Sequence, residues 1–185
     1  MKPWWLFLTS VALIGLTGCR QSQEPKPTTS QSEQTSTQTA RPSTIKFSLE
    51  QAWHQFTVQF PEAHVTSLEL AREANGYRYQ FEGQDTQHEV ELVLDATTGK
   101  ILAHHQEALA DDEHEEAISR SGLVTRQRAS KVAVAQVGSG SATAWQLDHD
   151  DGRVIWEVTV HTGQAKHEVV IDAYSAEVLS AEIDD

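Results

Sequence analysis

A single cysteine among 185 residues, Cys19, leaves no possibility of an intrachain disulfide and no CxxC or Cys/His metal pattern. Positive charge is also scarce: 14 Lys and Arg stand against 27 Asp and Glu, for a net charge of −13. A chain this acidic repels phosphates instead of releasing their counterions, so nucleic acid is excluded as a partner. HExxH, GxSxG and phosphate-cradling glycine loops are all missing, and no nucleophile and base stand visibly paired, so an enzyme is not expected. The longest apolar run, Trp4 to Leu16, would rise only about 20 Å as a helix, short of the roughly 30 Å of a bilayer core.

What that run does have is the layout of an export signal: Met1, Lys2 and Pro3 before it, and the small residues Thr17 and Gly18 after it. Leu16-Thr17-Gly18-Cys19 resembles the bacterial lipobox. The resemblance implies cleavage after residue 18 and a covalent diacylglycerol on Cys19, which becomes the lipid attachment point and not a nucleophile. Two acyl chains give stable anchoring where one would not. The expected location is therefore the extracytoplasmic face of the cell membrane, with the lipid bilayer as a partner and no further cofactor. Residues 20 to 44 are dense in Gln, Ser, Thr and Pro and almost free of apolar side chains, which predicts a disordered spacer. Such a linker spans on the order of 30 Å, enough to hold a domain clear of the headgroups.

Residues 48 to 103 laid over 125 to 180, an offset of 77, bring equivalent residue types together. In the first unit Leu49, Ala52, Trp53, Phe56 and Phe60 draw one apolar stripe along a helix, with Ser48 and Gln51 as its capping box and Pro61 ending it. The period then switches to two. Val65, Leu68 and Leu70, then Tyr77, Tyr79 and Phe81, then Val90, Leu92 and Leu94 predict half-buried strands, with Asn75-Gly76 as a hairpin turn and a short last strand at Ile101 and Leu102. The second unit repeats this order: Thr125 caps a helix facing inward through Ala129, Val132, Ala133 and Val137. Strands follow near 144 to 147, 154 to 160 and 169 to 171, with Asp151-Gly152 at the equivalent hairpin. The expected fold class is α+β, two repeated units, each one helix packed on a small antiparallel sheet of three to four strands. Each is small enough to be marginal alone, so the two are expected to pack together or share an edge. The domain layout read here is a signal peptide at 1–18, lipidated Cys19 and linker at 19–47, units at 48–107 and 123–185, and an acidic, helical or partly ordered connector at 108–122.

This order, the Tyr79-x-Phe81 strand and the Asp95-Ala96-x-Thr98-Gly99-x-Ile101-Leu102 ending resemble the PepSY domain, over both units. Asp95 and Asp172 read as turn-makers accepting backbone amides, and Gly99 supplies a positive φ. The second unit carries Ala176 where the glycine belongs, a strain of about 1 kcal/mol if that position is left-handed. The resemblance implies a propeptide-like role, restraining an extracytoplasmic peptidase or another envelope protein, with no catalytic residue to carry over. Among the nine histidines, His104, His105 and His114 lie beside acids and are weak candidates for a metal or pH-responsive surface, which is the alternative reading.

Overall fold

In the computed structural model, residues 44–109 and 114–184 are described, so the export signal, Cys19, the spacer up to residue 43 and residues 110–113 of the acidic connector lie outside the described residues. Helix α1 (Leu49–Gln59) starts at Ser48, whose Oγ accepts from the Gln51 amide at 3.2 Å while the Ser48 amide donates to Gln51 Oε1 at 2.9 Å. That reciprocal pair satisfies two amides that a helix start otherwise leaves bare. Helix α2 (Arg126–Val137) starts at Thr125, whose Oγ1 accepts from the Arg128 amide, and ends at Gly138 in the left-handed region, φ 89. Each helix is followed by four antiparallel strands: β1 (His64–Glu73), β2 (Gly76–Gln84), β3 (His88–Asp95) and β4 (Ile101–Ala108), then β5 (Ser141–Asp150), β6 (Arg153–Thr162), β7 (Ala165–Asp172) and β8 (Val178–Asp184).

The strands do not form two small sheets. They form one eight-stranded antiparallel sheet in the order β4-β3-β2-β1-β5-β6-β7-β8, joined where β1 meets β5. Across that seam Leu68 pairs with Leu147, Glu69 with Gln146 and Leu70 with Trp145. Under the repeat offset, Leu68 corresponds to Trp145, Leu70 to Leu147, and Glu69 to Gln146. The pairing is therefore self-complementary, and a pseudo-twofold axis passes through the Glu69–Gln146 pair, as in an isologous dimer interface. One sheet replaces two because each unit's first strand would otherwise be an open edge.

Both helices lie on the same face. Alternation places Leu68, Leu70, Tyr79, Phe81, Leu92 and Leu94 under α1, and Trp145, Leu147, Trp156, Val158, Val169 and Ile171 under α2, all within one buried cluster. Phe56 stacks on Phe81 at 5.5 Å between centroids and Trp53 meets Phe81 edge-on at 5.9 Å. Large side chains hold α1 away from the sheet, whereas Ala129 and Ala133 let α2 bring its Cα atoms within 8 Å of β5 through β8.

Three expectations are corrected. The hairpin between β1 and β2 turns on Ala74 and Asn75, since Glu73 pairs with Gly76. In the second unit Asp151 (φ 46) and Gly152 (φ 76) do form the two-residue turn, both left-handed as a tight hairpin requires. Strand β4 is not short but runs to Ala108, into what was read as connector. Of the two readings of the connector, helical or partly ordered, the helical one fails over the described residues 114–122, which hold no helix and are tied to the ends of β1 and β2. There the Glu115 amide donates to buried Gln84, the Ile118 amide donates to Val65 O at 2.8 Å, and the Ile118 side chain enters the core.

Candidate functional site

The Asp95 and Asp172 turns are built alike, with matching hydrogen bonds equal to within a tenth of an ångström. Asp95 Oδ1 accepts from the amides of Thr97 (3.0 Å) and Thr98 (2.7 Å) and from Thr98 Oγ1 (2.8 Å). Asp172 Oδ1 accepts from the amides of Tyr174 (3.0 Å) and Ser175 (2.7 Å) and from Ser175 Oγ (2.9 Å). These bonds hold both carboxyls below the usual range, led by the Thr98 hydroxyl for Asp95 and by the Ser175 amide for Asp172. Gly99 has φ 74 and Ala176 φ 65, so the alanine does stand in the left-handed region. Every oxygen contact described for these carboxylates faces their own turn, which is the geometry of a structural element and not of a proton-transfer site.

Each turn grips the segment before its helix. Ala96 O accepts from the Phe47 amide, and Ala173 O from the Val124 amide. Tyr79 Oη then donates to Phe47 O at 2.9 Å, and Trp156 Nε1 to Val124 O at 3.0 Å. Burial pushes the Tyr79 phenol up to about 12, against the opposing pull of Arg126, so it remains a neutral donor.

Among the described residues no helix lies on the other face of the sheet, and that face is acidic. Glu69, Glu82, Glu91, Asp148, Glu157 and Glu168 project there from β1, β2, β3, β5, β6 and β7, alternating with the core positions. Glu82 sits directly opposite Glu91 in the ladder, an unfavourable like-charge pair. Burial against the sheet raises Glu82 above the ordinary glutamate range; the Ser67 hydroxyl at 2.9 Å opposes this, while Glu115, Glu91 and Asp148 add to it. Glu157 is raised by burial and then by Glu168, with Lys166 opposing, and Glu69 by burial and then by Glu73. The carboxylates thus form a field spread about the pseudo-twofold axis. Sequence reading passed over them because each is the ordinary polar half of an alternating strand; only their cross-strand placement makes them one surface.

The histidine candidates are not brought together. His104 and His105 are neighbours on β4 and so point to opposite faces, His105 lies 3.6 Å from exposed Glu107, and His114 is exposed in the connector. Among the described residues no three His, Cys, Asp or Glu side chains gather as a metal site, and no helix is long and apolar enough to cross a membrane.

The family model for "Peptidase propeptide and YPEB domain" matches this chain twice, at residues 46–105 and 123–182. The chain belongs to the PepSY family. Its two PepSY domains are the two helix-and-strand repeats, and their matched segments begin just before the gripped residues Phe47 and Val124. The uncharacterized protein YkoJ of Bacillus subtilis (strain 168) is 35% identical over 83 residues, 44% of this chain and 47% of that protein, so the match spans about half of its length. The crystal structure of a "putative lipoprotein" from Clostridium difficile 630 superimposes with a TM-score of 0.69, covering 77% of this chain and 96% of that one at 23% identity, a likeness of fold.

Proposed function

We propose that this tandem PepSY protein is a lipid-anchored, extracytoplasmic binding module, held to the cell membrane through Cys19, that restrains a peptidase or another envelope protein by presenting the open face of its sheet. The observation that carries this reading is the uncovered carboxylate field. Eight strands locked in one ladder make a rigid platform, and desolvated glutamates upon it favour a basic surface that would neutralise them. PepSY domains take their family description from peptidase propeptides, which supports a partner of that class. The exposed β8 edge, with Leu179 and Ile183 turned to solvent, offers a second place for a partner strand to add.

Crosslinking on intact cells tests the reading. The full chain is expected to capture an extracytoplasmic partner, and Glu82→Lys with Glu157→Lys to lose it while Cys19→Ala releases the protein from the membrane fraction. Capture unaffected by the two charge reversals would contradict the role of the sheet face, and membrane retention of the Cys19→Ala protein would contradict the anchor.

A further inference from the structure

On the helix side of the molecule, α1 and α2 leave a groove between their N-terminal ends, with a volume of ≈ 430 Å³. Phe47, Leu49, Trp53, Leu123 and Val124 supply apolar walls, and Lys46, Arg120 and Arg126 bring three cations to the same short space, with Glu50 the one acid among its lining. In a chain of net charge −13 this concentration of positive charge is the reverse of its surroundings. None of the three cations has a carboxylate within ion-pair distance among the described residues. Arg126 is held in place from below, its guanidinium 4.7 Å from the centroid of the Trp145 ring, which leaves its donor edge unspent. The capping side chains take up the amides of Gln51 and Arg128, and the remaining amides of each first turn add partial positive charge at either end of the groove.

An apolar wall adjoining a guanidinium that has no carboxylate partner among the described residues selects a ligand that carries both characters on neighbouring atoms. The last residue of a polypeptide does so: its side chain and its α-carboxylate leave the same Cα. We propose that this groove binds the carboxyl-terminal end of an extended peptide. The α-carboxylate accepts from Arg126 and Arg120, with Lys46 nearby, and an apolar final side chain lies against Phe47, Trp53 and Val124. A carboxylate and a guanidinium can pair through two parallel hydrogen bonds, which fixes the direction in which the peptide enters. The site lies on the face opposite the carboxylate field, so it stands or falls independently of the sheet-face reading.

Calorimetric titration of the full chain in detergent micelles with acetyl-Ala-Ala-Leu, as the free acid and as the C-terminal amide, tests this. The free acid is expected to bind, with the amide weaker by about tenfold or more, as loss of a charge-assisted contact implies. Arg126→Gln and, separately, the exposed Arg120→Gln are each expected to weaken the acid by about tenfold, while Arg126→Lys keeps part of the affinity. Equal binding of acid and amide, no binding of either, or inorganic phosphate binding more tightly than the peptide acid would each overturn the proposal. The thermal unfolding midpoint of Arg120→Gln, whose side chain is exposed, separates lost binding from lost folding.

Discussion

The two PepSY domains share the Asp turn, an N-cap hydroxyl and the bonds to the Phe47 and Val124 carbonyls, and disagree about where their bulk sits. Phe47 lies over Gly99 so closely that a Cβ on the glycine would come within 2.5 Å of the ring. The equivalent pair is Val124 and Ala176, a smaller side chain above and a methyl below. Phe56 likewise closes on Gly83, where an added Cβ would meet its ring at 2.6 Å, while the second unit holds Ala133 and Val160 at those positions. At these positions volume has moved from the helix and the segment before it to the sheet and its turn. The Asp turns, the N-cap hydroxyls and the hydrogen bonds to the Phe47 and Val124 carbonyls have stayed, because an unsatisfied buried polar group costs more than a redistributed methyl.

The comparison breaks first at Gly83. Gly83→Ala is expected to destabilise the chain by about 3 kcal/mol in urea unfolding, because its Cβ would also stand 2.3 Å from His64 O, backbone that cannot step aside as a flexible side chain can. Gly99→Ala comes next, at about 2 kcal/mol, part left-handed strain and part collision with Phe47. In a Phe47→Val background, which copies Val124, the same change is expected to cost only the strain, about 1 kcal/mol. Equal costs in both backgrounds would deny that the two positions are coupled. The reverse move, Ala176→Gly, is expected to raise stability by about 1 kcal/mol, visible as a higher melting temperature.

These pairs also mark how far the sequence could be read. Ser48, Thr125, Asp95 and Asp172 were legible because each acts on amides two or three residues away, and Ala176 was legible as a departure from its twin. That the units would pack together or share an edge was legible from their small size, but which strands meet was not, since nothing local distinguishes Leu68 or Leu147 from any half-buried strand residue, and only their mutual register makes a seam. Strand β4 was underestimated because, as an edge strand, almost all of it faces water and shows no alternation. The path of the connector was not legible for a related reason: Ile118, the core residue among its described positions, stands among polar neighbours and shows no period.

The smallest expected effect concerns the open face. Glu69, Glu82 and Glu157 have raised values in the fold, so their contribution to stability is fully present below the unfolded value of 4.5 and is lost as pH rises through the raised values. Asp95 and Asp172 are lowered, so theirs is present above 3.8 and is lost as pH falls through the lowered values. Between the two windows, in mild acid, both sets favour the fold. Glu82→Gln, which keeps an acceptor for Ser67 and removes repulsion from Glu91, is expected to add about 0.5 kcal/mol at neutral pH. The gain should shrink as the pH falls and Glu82 takes up its own proton, which its raised value makes it do earlier than an ordinary glutamate. A gain independent of pH would point away from charge repulsion as its source.

The continuous sheet, joined about the Glu69–Gln146 pair, underlies both the platform for a partner and the groove on its reverse. Cross-strand backbone NOEs in an isotope-labelled sample test it most directly: contacts between β1 and β5 in the register Leu68–Leu147 and Leu70–Trp145 are predicted, with slowly exchanging amides on both strands. Absence of those contacts, with β1 and β5 exchanging as free edges, would contradict it.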